Sequence, residues 1–404
     1  MIRFIHAADL HLDRPFEGLA DLPATLHEQI KNSLVQALSR LVVHAIEQKV
    51  DFVLLAGDIF DDKQHSIHAQ KAFIREMTRL DKAGIAVFMI AGNHDYLDPQ
   101  LNPLPFPENV HLYSGHTEGL LITARSGETV AIYGFSYQQR HINEDRAATY
   151  QITDDADYHI ALLHGARRTA ADMDVYAPFT VDTLRSKGFD YWALGHIHQR
   201  GCLSETPPVW YSGSMQGLSV KETGEKGISL VSLDAAGVQI RFLPTASILW
   251  LTADVQTNWM KDDLEAVDDL LHTIRDKYRR DQQSVFLNVS LTVHNTNQQS
   301  ELLESLFSDL IDAANETETD SFPFVWLLAG SLVLQPEWSR EDLIMRPNFI
   351  GELFRAIEQP GNIAQALAPL LTHRQARKYI SEPNEEELET IRRKTEQLLA
   401  ENLL

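Results

Sequence analysis

Residues 85–95 read Ile85-Ala86-Val87-Phe88-Met89-Ile90-Ala91-Gly92-Asn93-His94-Asp95. The run from Ile85 to Ala91 is apolar without a break, the pattern of a strand buried on both faces. The last four residues set an amide, an imidazole and a carboxylate just past its end. Open α/β sheets keep their chemistry at the carboxyl ends of parallel strands. By itself Gly-Asn-His-Asp marks only a turn, so its meaning rests on the ends of the other strands.

Upstream, Ile2 to Ala8 is a short strand stopped by Asp9-Leu10-His11, and Phe52 to Ala56 is closed by Gly57-Asp58, with Asp61 beyond. Leu26, Ile30, Leu34, Leu38, Leu41, Ala45 and Ile46 recur at helical spacing, as do Ala69, Phe73, Met77 and Leu80. Strand, helix, strand, helix, strand predicts a parallel sheet with right-handed crossovers and its motif loops on one edge. Downstream, Tyr158 to Leu163 ends in His164-Gly165, and Asp190 to Leu194 ends in Gly195-His196-Ile197-His198. Val181 to Lys187 suits a short helix, and Thr129 to Phe135 alternates like a strand. Val209 to Tyr211, Gly227 to Leu233 and Val238 to Pro244, parted by Gly-containing turns, predict an antiparallel continuation within a second, mixed sheet.

The expected fold is α/β, α+β overall. Residues 1–245 form a two-sheet sandwich of mixed strands flanked by helices, 246–336 a small α+β capping domain, and 337–404 a helical C-terminal region. In the capping domain, Val285 to Val293 puts apolar residues on odd positions, as a strand with one covered face does. In the last region, Ser339-x-x-Asp342 and Asn384 before Glu385-Glu386-Glu387 read as helix starts. The final helix, with Leu388, Ile391, Leu398, Leu399 and Leu403 on one edge, is expected to dock on its own domain.

The 35 Lys+Arg against 57 Asp+Glu give a net charge of −22, so the surface as a whole repels nucleic acid and anionic membranes. Any DNA contact must be local, metal-assisted or shared with a partner. A single cysteine, Cys202, excludes an internal disulfide framework and thiolate zinc sites. With no long apolar run, the chain is expected to be cytoplasmic and free of membranes.

Assembled, the strand ends supply Asp9 and His11; Asp58 and Asp61; Asn93, His94 and Asp95; His164; and His196 and His198. In Asp9-x-His11 and His196-x-His198 both polar side chains can aim at one point while Leu10 or Ile197 faces the core. A set of oxygens and nitrogens without sulfur suits two divalent ions of manganese, iron or zinc rather than a thiolate site. Asp58 is the best bridge between them, and Asp95 is placed to orient a ligand from behind. Such a pair, about 4 Å apart, activates water and stabilises displacement at phosphorus. One such residue alone is more often a cap or a satisfied loop side chain. Five in order, each directly after an apolar strand, are not readily supplied by chance. His27, His44, His65, His68, His111, His141 and His159 read as structural or solvated.

These five motifs resemble the signature of the calcineurin-like metallophosphoesterases. The resemblance implies Asp9, His11, Asp58 and His198 on one metal and Asp58, Asn93, His164 and His196 on the other. It implies that His94 stabilises or protonates the leaving group and that Asp61 holds His94. The opening Arg3 to Asp13, the Gly57-Asp58-Ile59-Phe60-Asp61 form and the trailing α+β domain resemble bacterial DNA repair nucleases of the SbcD and YhaO type. That likeness implies manganese, a DNA substrate, an SMC-like ATPase partner and a homodimer formed through helices near the catalytic domain. The Leu26 to Ile46 stripe is open to use as core or as interface. Phosphoprotein phosphatases of the superfamily carry Asp-Arg-Gly where this chain has Asp61-Asp62-Lys63, which argues against that activity. A small-molecule phosphodiesterase and a non-catalytic scaffold are the remaining alternatives. Arg14, Arg167 and Arg168 are the leading DNA-contact candidates. Lys71, Arg75, Arg79 and Lys82 share a helix face, and Lys277 to Arg280 and Arg374, Arg377 and Lys378 form further basic groups.

Overall fold

The computed structural model describes residues 1–19, 22–61, 66–97, 104–168, 176–259, 263–294, 300–319, 321–335, 338–359, 361–376 and 383–403. Asp62, Lys63, His65, Arg377 and Lys378, and the boundary at 336–337, lie outside them. The first unit comprises Met1–Leu251, Tyr278–Leu287 and Glu318–Trp326; the second comprises Thr252–Lys277, Asn288–Thr317 and Leu327–Leu404.

The first unit opens with β1 (Ile2–Ala7), α1 (Ala24–Glu47), β2 (Phe52–Ala56), α2 (Ile67–Lys82) and β3 (Ala86–Ile90). It continues through β4 (Val110–Leu112), β5 (Glu118–Thr123), β6 (Thr129–Gly134), β7 (Tyr158–His164), α3 (Val181–Arg185) and β8 (Tyr191–Gly195). Then follow β9 (Gly201–Glu205), β10 (Pro208–Tyr211), β11 (Gly227–Asp234) and β12 (Gly237–Pro244). One sheet has the order β12-β11-β1-β2-β3-β4 and the other β5-β6-β7-β8-β10-β9. The strands β1, β2 and β3 are parallel, as are β6, β7 and β8.

The unbroken apolar strands follow from burial on both faces. Phe4, Phe52, Leu54, Phe88 and Ile90 meet Val130, Ile132, Ile160, Leu162 and Ala193 in a core between the sheets. The alternating Ile5, Val53, Leu55, Val87 and Met89 pack with Leu34, Leu38 and Leu41 of α1 and Phe73, Met77 and Leu80 of α2. Leu26, Ile30, Leu34, Leu38, Leu41 and Ala45 of the stripe are therefore core, whereas Ile46 is exposed. On the far face of the second sheet, Tyr133, Leu163, Trp192 and Leu194 pack with Phe179, Leu184 and Phe189.

The two-sheet sandwich expected from the sequence is present, with one correction. The hairpin of β11 and β12 joins the first sheet, where β11 pairs antiparallel with β1 from Ile2↔Leu233 to His6↔Ser229. The pairing gives β1 a partner on its free side and covers an edge that would otherwise expose unpaired backbone groups.

Strands β13 (Ile248–Thr257), β14 (Ser284–His294) and β15 (Val325–Gln335) form a third sheet in that order, interleaved with α4 (Leu264–Tyr278) and α5 (Ser300–Glu316). Within the second unit, Arg275 donates to Ala314 O at 2.7 Å, and Asn315 bonds both N and O of Leu327. Helices α6 (Arg340–Met345), α7 (Phe349–Glu358), α8 (Asn362–Thr372) and α9 (Glu385–Leu403) complete it. Ser339 Oγ caps α6 through Asp342 N at 3.2 Å, and Asn384 and Glu387 cap α9 reciprocally. Ala400 and Leu399 pack with Leu343 and Phe354, so the last helix docks within its own unit. No helix among the described residues is long and apolar enough to cross a membrane.

His6 is the polar member of the inter-sheet core, with Nδ1 3.0 Å from Tyr191 Oη and Nε2 3.1 Å from Leu194 O. Burial, partly countered by the Leu194 carbonyl, pushes its pKa down from 6.5 to about 3. Below pH 6.5 the unfolded chain takes up a proton that the folded chain refuses. Stability is therefore complete above that pH and falls as acid is added, by about 2 kcal/mol at pH 5. His6→Gln is expected to remove that part of the acid-side decline when unfolding free energy is measured between pH 7 and 5. Parallel curves for the two proteins would rule His6 out as its source.

Candidate metal centre

All five motif loops leave the carboxyl ends of β1, β2, β3, β7 and β8 and meet at one edge. The first two run side by side: Leu10 N and His11 N donate to Asp58 O at 2.9 and 3.0 Å, and Leu12 N donates to Ile59 O at 2.9 Å. Four of the expected ligands hold left-handed backbone, Asp9 at φ 52°, His11 at 43°, Asp58 at 52° and His196 at 98°. Non-glycine residues rarely adopt this region, at a cost of about 1–3 kcal/mol each, and where they do a site is often being shaped.

Asp9, His11 and His198 bring one ligand atom each to a common point, as do Asp58, His164 and His196. His11 Nε2 lies 3.0 Å from His198 Nε2, and Asn93 Oδ1 lies 2.9 Å from His164 Nε2 and 3.1 Å from His196 Nδ1. Between the two sets sits Asp58, with Oδ2 3.3 Å from His164 Nε2 and 3.8 Å from His11 Nε2. Its Oδ1 accepts from His94 N at 3.0 Å. Asp9 takes the His196 N–H on both oxygens, at 3.0 and 3.2 Å. The structure thus brings together all seven residues singled out as ligands.

His94 and Asp61 form a third group with His11. His94 Nδ1 is 3.6 Å from Asp61 Oδ1, and the His94 side chain keeps 21% exposure where His11 and His164 have none. Arg167 and Arg168 are exposed beyond β7, whereas Arg14 Nη2 is engaged by Glu17 at 3.0 Å. Arg75 and Arg79 both bond Glu76, and Arg279 bonds Glu318 at 2.6 Å, so these cations serve the fold.

Burial holds the His11 imidazole well below its ordinary range and, with the charge of His164, pushes His196 down to about 3. Their lone pairs are therefore available near neutral pH. Burial opposes charge on both Asp58 and His164, but their mutual attraction prevails, keeping Asp58 ionised and raising His164 to about 9. Imidazole nitrogens turned toward one another or onto a single amide oxygen, beside a buried ionised carboxylate, fit a divalent cation in each position.

Sequence reading missed Glu222. It lies in the loop after β10, and its Oε1 is 2.9 Å from His198 Nδ1 while Oε2 accepts from Ser214 Oγ at 3.1 Å. A carboxylate on Nδ1 presents the Nε2 lone pair to a metal, as the Ala56 carbonyl does for His164 at 2.9 Å. A lone glutamate in a loop without a strand end carries no sequence signal for this role.

Residues 2–200 match the calcineurin-like phosphoesterase family. The chain is 35% identical over 405 residues to the uncharacterized metallophosphoesterase YhaO of Bacillus subtilis, covering 100% of this chain and 98% of that relative. It is 24% identical over 261 residues to the DNA double-strand break repair protein Mre11 of Methanopyrus kandleri, covering 59% of this chain and 55% of the relative. Against the D component of the SbcCD nuclease of Bacillus subtilis it is 27% identical over 267 residues, covering 57% and 66%. The chain thus spans less than two thirds of the length of these last two relatives.

Glu222→Ala is expected to lower the affinity of the His198 site for added manganese by about 10- to 100-fold, read by calorimetric titration. An unchanged titration would show that His198 needs no such support. Because His164 carries a proton below about pH 9, metal binding at neutral pH must expel it. Titrations in buffers of different ionisation heat should report about one proton released near pH 7, with affinity rising toward pH 9; pH-independent affinity would contradict this.

Proposed function

The chain belongs to the calcineurin-like metallophosphoesterase family, and from that premise we propose that this metal-dependent phosphoesterase is a DNA repair nuclease cutting phosphodiester bonds. The observation that carries the reading is the half-open His94, backed by Asp61 and set against ligands that are themselves closed off. Asp9, His11, Asp58 and His198 would hold one ion and Asp58, Asn93, His164 and His196 the other. Two such ions supply Lewis acidity at phosphate oxygens and a nucleophile at neutral pH. Manganese is the ion proposed, since imidazole and carboxylate donors without sulfur accept it readily.

In this reading His94 donates its proton to the departing oxygen, and the Asp61 carboxylate orients the ring and supports its charge. Asp58 and Asp9 bear the negative charge that offsets the ions, and His11, His164, His196 and His198 stay neutral donors once the ions are seated. The likeness to relatives named for double-strand break repair and for an SbcCD nuclease supports DNA as the substrate. An SMC-like ATPase is the proposed partner, because a chain of net charge −22 gains from a second protein that grips DNA. Arg167 and Arg168, exposed beside the His164 loop, are the proposed strand contacts.

The test is the purified protein with manganese on single-stranded DNA, double-stranded DNA and bis(4-nitrophenyl) phosphate. DNA cleavage is expected. Turnover of the ester alone would replace the reading by a small-molecule phosphodiesterase, and metal binding without turnover would favour a scaffold or dependence on the ATPase. His94→Ala should keep both ions and lose about 100- to 10,000-fold in cleavage, whereas Asp58→Ala should lose metal as well. Full cleavage by His94→Ala would remove it from the mechanism.

A further inference from the structure

Beside the first metal loop lies a cavity of about 470 Å³, within the range of small-molecule sites. Asp13, two residues past His11, lines it, and Arg14 N closes the intervening turn on His11 O at 2.9 Å. On the opposite wall are Ser66 and His68, at the start of α2. The cavity therefore opens between the segment that follows His11 and the start of α2. Its floor is apolar, with Phe16 packed over Trp250 at 5.9 Å between ring centroids and with Ile30 and Leu34 of α1 buried beneath.

The polar lining is small and, among the described residues, carries one unpaired cation. Lys31, with His27 and His68, faces the Asp13 carboxylate, while Arg14 is held by Glu17 at 3.0 Å. Lys31 is exposed and has no ion pair among the described residues. Asp13 is held at φ 69° and pinned by a hydrogen bond from Ser66 Oγ, which also caps α2 through Ala69 N at 3.1 Å. A strained, pinned carboxylate in an apolar hollow with Lys31 at its edge suits a ligand with an aromatic body, a hydrogen-bond donor and a phosphate.

We propose that this cavity is a nucleotide subsite of the metal centre, taking the nucleoside next to the bond that is cut. The base lies over Phe16, Asp13 accepts from a base N–H or sugar hydroxyl, and Lys31 receives the following phosphate. The inference rests on the nuclease reading and adds to it the side of the centre on which the strand is held.

Binding to the manganese-loaded full chain tests it with three probes: inorganic phosphate, thymidine 5′-monophosphate and thymidine 3′,5′-bisphosphate. Thymidine 5′-monophosphate should bind about tenfold more tightly than phosphate, as one stacked base allows, and the bisphosphate more tightly still. Phe16→Ala should collapse the first ratio toward one. Lys31→Glu, an exposed change that leaves the packing intact, should collapse the second. Equal binding of all three probes, or ratios that survive Lys31→Glu in a folded protein, would overturn the subsite. DNA cleavage measured separately distinguishes the two readings. Cleavage with no nucleotide preference sinks the subsite alone, and nucleotide preference without DNA cleavage sinks the nuclease while keeping the subsite.

Discussion

The Asp95 carboxylate accepts the backbone N–H groups of Gly92, Ile59, Asp58 and Phe60 at 2.6, 2.7, 3.2 and 3.4 Å, so the loops after β2 and β3 share one buried acceptor. Burial, reinforced by the neighbouring Asp58 charge, raises its pKa to about 6 against the pull of those donors. Two carboxylates this close and this buried are tolerable only with positive charge beside them. The proposed pair of metal ions would supply that charge, and a proton on His164 does so without them. Gly92 belongs to the same constraint. A Cβ there would stand 2.2 Å from Asp58 Oδ1, so any side chain would push the central carboxylate away.

What presents the ligands is the combination of parallel strands and loops bent against their preference. Strands β1, β2 and β3 point one way in the first sheet, and β7 and β8 in the second, so the two carboxyl edges face the same opening. Close approach is possible because Gly57 and Gly195 lie where the sheets meet. A Cβ on Gly57 would fall 2.5 Å from His164 Nδ1, and one on Gly195 2.0 Å from Ala56 O. The left-handed Asp9, His11, Asp58 and His196 are then secured by loop-to-loop bonds such as His11 N to Asp58 O. Rigid packing on both sides of each sheet offsets that strain.

Much of this was readable in the sequence because burial leaves a plain mark. Strands covered on both faces are unbroken apolar runs, and a polar residue directly after each one is conspicuous, which is how Asp58 and Asn93 come forward without coordinates. The hairpin of β11 and β12 was readable as a hairpin but not as a member of the first sheet. Period-two alternation identifies a strand and its turn, while the choice of neighbour depends on which edge is open, and only the assembled β1 shows that. Short β4 and β5, half exposed at sheet edges, have no such pattern. Glu222 was invisible for a related reason, since its value comes from lying 2.9 Å from an imidazole 24 residues earlier.

The acidity of the chain and the anionic character of its proposed substrate are compatible once distance is considered. At physiological salt the Debye length is about 8 Å, so most of the −22 is not felt at the centre. The local field would be set by ions held in the Asp and His clusters and by the few cations at the edge. Net charge acts instead on encounter, slowing the approach of a polyanion without weakening its grip once it has arrived. In the proposed reading, a partner protein that holds DNA would bring the substrate to the centre without any change to the strand-end loops.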